Sequence, residues 1–141
     1  MNVREYLGQI KKCEICINQK IKEREKARKQ ITFIQGIRYD RDKVQTSPKD
    51  SMSDLVVKLI SIDEDVLSTI EYYTDLMNKI IRQIQALENA AEISILFDVY
   101  VESKDLMQIA DEMHLSYSRV AHIHTDGLQH FEEKFLKVSN K

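Results

Sequence analysis

From Leu55 onward, the residues Leu55, Leu59, Ile62, Val66, Thr69, Tyr73, Met77, Ile80, Ile84, Leu87 and Ala91 recur at steps of four and three. One doubled step of four, from Thr69 through Tyr73 to Met77, interrupts an otherwise regular heptad seam. That period belongs to a helix and excludes the two-residue alternation of a strand. A helix of about 40 residues would run roughly 60 Å at 1.5 Å per residue. An apolar stripe of that length is not stable in water without a partner. The chain must therefore supply or recruit a second long helix.

The first block offers one. Over residues 3–34, Tyr6, Ile10, Cys13, Ile17 and Ile21 follow three- and four-residue steps, and the stripe then thins into the polar, basic run KIKEREKARKQ. Residues 36–53, GIRYDRDKVQTSPKDSMS, hold the only proline and show no helical period, so they predict a connecting loop. Ser51 or Ser53 would cap the next helix, with Asp54 early where the helix dipole favours a carboxylate. Residues 1–49 carry 13 Lys/Arg against 6 Asp/Glu, and residues 50–93 carry 3 against 9. Folding one helix back antiparallel on the other sets these opposite charges side by side. The expectation for residues 1–92 is a long helical hairpin resembling a coiled coil. Its first helix has too few apolar positions to cover the whole seam, which predicts a homo-oligomer, most simply a dimer.

Three glycines and one proline in 141 residues agree with an all-α chain. No apolar run approaches the roughly 20 residues that span a bilayer, and MNVREYLGQIKK lacks the apolar segment of a secretory leader, so a cytoplasmic protein without membrane contact is expected. Cys13 and Cys16 have zinc-like spacing, but no second cysteine pair or close histidine pair accompanies them, and reduced core packing is the expected role. His122 and His124 project to different sides of one helix and do not share a ligand. There is no glycine-rich phosphate loop and no Ser, His and Asp set in a catalytic context. Neither an enzyme nor a cofactor is expected.

Residues 93–141 compress three amphipathic stretches into about 45 residues. Ile93, Leu96, Phe97 and Tyr100 mark the first, Leu106, Ile109, Ala110 and Met113 the second, and Val120, Ile123, Leu128, Phe131 and Phe135 the third. Three such short helices need one another to bury their stripes. Ser103 is placed to cap the second and Ser116 the third, and Ala110 suits a close helix crossing. His114 stands where the turn usually takes glycine, and histidine tolerates the left-handed conformation better than most residues. The pattern is that of a helix-turn-helix module, in which the start of the second motif helix enters the major groove.

The string LMQIADEMHLSYSRVAHIHTDGL resembles the helix-turn-helix of the fourth conserved region of bacterial sigma factors. Together with AEISILFDVYVESKD before it and the segment YDRDKVQTSPKDSMSD, the chain is similar over about residues 5–136 to small phage-encoded regulators related to the RinA and ArpU families. That resemblance implies a regulator of late-gene transcription in phages and prophages of Gram-positive bacteria, with a coiled-coil N-terminal part and a sigma-like DNA-binding C-terminal part. It also implies double-stranded DNA as partner and Ser116, Tyr117, Ser118, Arg119 and His122 as the contacting residues. Arg119 would donate to a guanine in bidentate fashion, Ser118 would reach a base or phosphate, Tyr117 a phosphate or a thymine methyl, and His122 a base or the backbone. Ala121 stands where sigma factors often place a basic residue.

Charge sets a further condition. Residues 94–141 carry 5 Lys/Arg against 8 Asp/Glu, so this module alone would bind weakly to a polyanion. Dimerisation, phosphate contacts from the basic residues 20–29, or RNA polymerase as a second partner would compensate. Two other functions fit the same pattern: a DNA-packaging recognition subunit like the small terminase proteins, and a protein-interaction module that no longer reads DNA.

Overall fold

The computed structural model describes residues 1–41 and 49–137, with residues 34–41, 49–52 and 55 described by their backbone alone. Among the described residues the chain is all-helical, without a strand. Helix α1 spans Val3–Arg41, α2 Lys49–Gln85, α3 Ala90–Tyr100, α4 Leu106–Met113 and α5 Tyr117–Phe131, the last continuing into a π-helical turn over Glu132–Leu136. No helix among the described residues is long and apolar enough to cross a membrane.

The helix ends correct several expectations. Part of the segment expected as a loop over 36–53 is helical, because α1 continues to Arg41 and α2 begins at Lys49, while residues 42–48 lie outside the described residues. Adding residues to an established helix costs little per residue, so a polar composition alone does not end one. Ser51 and Ser53 lie within α2 and neither caps it. At its other end α2 stops at Gln85, so Leu87 lies in a turn and Ala91 on α3. Asn89 starts α3 by accepting a hydrogen bond from the Glu92 N–H at 3.1 Å.

Two compact units result: Met1–Glu14 with Thr74–Lys141, and Ile15–Tyr73. They cut across the expected division at residue 92, because the ends of the long helices pack with the C-terminal helices.

In the unit Ile15–Tyr73, Ile31 and Val66 are buried, and the seam residues Leu59, Ile62, Thr69 and Tyr73 are half-buried. Arg24 Nε and Arg28 Nη2 donate to opposite oxygens of Asp63 at 2.7 and 3.0 Å, linking α1 to α2. These guanidiniums, Arg24 first, hold the Asp63 carboxyl below its ordinary range. Solvent screens exposed pairs of this kind, so they align the helices more than they stabilise them.

The other unit holds two apolar clusters. Leu7 and Ile10 of α1, Ile80 and Ile84 of α2, Leu87, Leu96 of α3, and Leu128 and Phe131 of α5 form the first. Ile95, Ile109, Ala110, Val120 and Ile123 form the second, which joins α3, α4 and α5. Tyr6 Oη donates to Gln83 Oε1 at 2.6 Å, and the Tyr6, Phe131 and Phe135 rings stack in a chain of tilted contacts. Gly127 lets α5 approach α3: a β-carbon there would stand 3.3 Å from both Glu92 Cβ and Leu96 Cδ1. Ile80 and Ile84 keep no exposed surface. The C-terminal helices thus complete the cover of this stretch of the seam, and incomplete cover there is no longer a reason for a second subunit.

Candidate nucleic-acid interface

Helix α4 begins at an Asp105 cap, whose carboxylate accepts the Gln108 N–H at 2.8 Å. Ser103, the expected cap, instead takes a left-handed backbone, φ 59°, whereas a capping residue needs the extended backbone that Asp105 adopts. Ile109 and Ala110 face the cluster shared with α3 and α5. At its end His114 turns the chain in the left-handed region, φ 57° and ψ 39°. The Leu115 N–H then donates to the Ala110 carbonyl at 3.0 Å and the His114 N–H to Asp111 at 3.4 Å, which satisfies carbonyls the helix end would leave open. Lys104 Nζ donates to Glu112 at 2.9 Å across this short helix, and the bond lowers the Glu112 carboxyl from its ordinary value.

Three residues, His114 to Ser116, separate α4 from α5. As expected, Ser116 caps α5: its Oγ accepts the Arg119 N–H at 3.1 Å. Val120, Ile123, His124, Gly127, Leu128 and Phe131 then turn inward, a spacing of three and four that anchors one side of the helix along its length. The predicted residues gather at its start, where Ser118 and His122 face away from the anchored side and Tyr117, in line with His124 and Leu128, stands exposed on the first turn. Ser116, Tyr117, Ser118, Arg119 and His122 are all exposed, Tyr117 at 54% and the His122 side chain at 68%. The structure therefore brings the five together on one end of one helix. Arg119 is the only Lys or Arg in α5, and no carboxylate lies within ion-pair distance of its guanidinium among the described residues.

Two neighbours were not in the predicted set. His122 Nε2 lies 3.4 Å from Asp126 Oδ2, so a protonated His122 has a carboxylate partner within the helix. Thr125, exposed one turn beyond Ala121, donates its hydroxyl to the Ala121 carbonyl at 3.0 Å. The four-residue spacing of His122 and Asp126 is legible in the sequence as an ion pair on a helix surface. Thr125 carries no such signal.

Behind this face His124 is buried, with Nε2 3.1 Å from Tyr100 Oη and its ring stacked on the tyrosine. Burial, then the nearby Arg4 charge, lowers its imidazole from the ordinary value. At the far end of α5 the exposed His130 Nδ1 meets both oxygens of the buried Glu92, at 2.8 and 2.9 Å, and this carboxylate raises the imidazole. The two histidines belong to the scaffold. Among the described residues, no group of three or more His, Cys, Asp or Glu is placed to hold a metal ion.

No curated protein and no solved structure matches this chain. A model of the family described as "Protein of unknown function (DUF1492)" matches residues 33–129, more than half of the chain and all of α2 to α4 with most of α5. The chain belongs to that family.

Proposed function

We propose that the protein is a non-enzymatic, sequence-specific regulator of phage or prophage late-gene transcription that binds double-stranded DNA as a homo-oligomer in the cytoplasm. On this reading α4 and α5 are the two helices of a sigma-like helix-turn-helix, and the start of α5 enters the major groove. The observation that carries it is the exposed set Tyr117, Ser118, Arg119 and His122, which follows a left-handed turn at the start of a helix anchored in the core. Arg119, free of carboxylate partners among the described residues, is available for two donations to one guanine. The antiparallel hairpin of α1 and α2 is supported by Tyr6 bonding to Gln83 and by Arg24 and Arg28 bonding to Asp63. Self-association would bring two recognition helices to one site and offset the acidity of residues 94–141.

Asp126 beside His122 and the excess of carboxylates in residues 94–141 favour a second reading, in which the same exposed face docks on a protein, RNA polymerase included. Selection of bound duplexes from a random pool at low salt separates the two. Enrichment of one motif, lost in Arg119→Ala, supports the regulator. A pool that stays random in both proteins favours the protein-docking module.

A further inference from the structure

The seam of α2 is the face turned to α1, but it is not the only apolar face on that helix. Within the unit Ile15–Tyr73, Val56, Ile60 and Leu67 are 48, 52 and 61% exposed. At 3.6 residues per turn the three fall within about 40° of one another, roughly a third of a turn from the seam. Val57 is exposed beside them, and Glu64 and Glu71 border the stripe. On α1, Lys22, Lys26 and Lys29 are exposed within about 60° of one another and carry the opposite sign, Glu23 and Glu25 are exposed on either side of them, and Ile21 is 40% exposed.

The charge difference extends along both helices. Residues 15–41 carry eight Lys/Arg against three Asp/Glu, and residues 49–73 carry two against six. Among the described residues, Asp63 pairs with Arg24 and Arg28 across the two helices, while Glu64 and Glu71 on α2 and Lys22, Lys26 and Lys29 on α1 stand exposed. A partner for this unit needs an apolar strip with a basic edge on one side and an acidic edge on the other. A second copy of the same unit has both.

We infer that the Val56, Ile60 and Leu67 face of α2 packs on the basic outer face of α1 in a second copy of the chain, and the reverse, in a two-fold pair. The contact is isologous, so one pair of surfaces is used twice and closes without further growth. Apolar burial supplies affinity, and the opposite charges set register and exclude the pairing of α2 with α2, in which carboxylates would meet. This inference deepens the self-association in the proposed function and does not depend on DNA binding.

Sedimentation of the full chain tests it. The native protein is expected at twice the chain mass of 16.6 kDa. Ile60→Lys with Leu67→Lys is expected at the single mass with an unchanged helical circular dichroism spectrum, since both side chains are already exposed. A second pair of variants reads the charge: Glu64→Lys with Glu71→Lys in one chain, and Lys22→Glu with Lys26→Glu in the other. Each alone should associate at least tenfold more weakly than the native chain, and a mixture of the two should recover the pair. A monomeric native protein, an assembly indifferent to Ile60 and Leu67, or a mixture that fails to associate each overturns the inference. Motif selection by a monomer would overturn it while leaving the DNA reading intact, and loss of DNA selectivity in a stable pair would do the opposite.

Discussion

Arg119 and His114 divide the work of the candidate interface at the residue scale. The Ser116 cap fixes the first turn of α5, and Arg119 gives its backbone N–H to that cap while its side chain stays in solvent. Arg119→Ala therefore leaves the helix intact and removes one guanidinium. DNA affinity should fall by about 1–3 kcal/mol, with preference relaxed at one base position, as titration against the selected duplex and its point variants would show. His114 acts through the backbone. An L-residue in the left-handed region is strained relative to glycine, so His114→Gly should raise stability by about 1 kcal/mol in urea unfolding without altering the motif selected. The Ser116 cap and the unusual turn at His114 were both legible in the sequence, because each is a strictly local requirement. The cap of α4 was not: Ser103 and Asp105 are both capping residues two positions apart, and only the backbone conformation distinguishes them.

Among the elements, α2 shows where periodicity is informative and where it stops. Its seam was legible, since Val66, Ile80 and Ile84 are buried and the steps between them are helical. What covers the seam was not, because Leu96, Leu128 and Phe131 reach it from helices far along the chain, and heptad spacing carries no information about distant partners. Nor does the seam stay on one helix, since the turn before Asn89 interrupts it at Leu87 without breaking the count. Ile80→Asp changes meaning accordingly. In a seam open to a second subunit it would break assembly alone. Here it places a carboxylate among Leu7, Ile10, Ile84 and Phe131, so the loss should be in folding, about 3–5 kcal/mol or complete unfolding by circular dichroism. A folded monomer from Ile80→Asp would contradict this packing.

For the whole molecule, two histidines of unlike environment predict how stability varies with pH. The ordinary imidazole value is about 6.5. His130 is raised by Glu92, so its contribution is complete below that value and disappears as pH climbs through the raised one. His124 is lowered by burial, so folding opposes its protonation and stability declines as pH falls below the ordinary value. Stability should be greatest near pH 6.5, as thermal unfolding across pH 5 to 8 would show, with His130→Gln flattening the alkaline side and His124→Asn the acid side. The five predicted contact residues are all exposed and gather at the start of α5, and the central claim is that this end reads DNA. Amide chemical-shift mapping of the labelled chain, titrated at low salt with the duplex recovered by selection, tests that claim most directly. The account predicts the largest shifts at Ser116 to His122, with little change at Glu92 and His130. A bound duplex that leaves Ser116 to His122 unmoved, or shifts confined to the long helices, would contradict it.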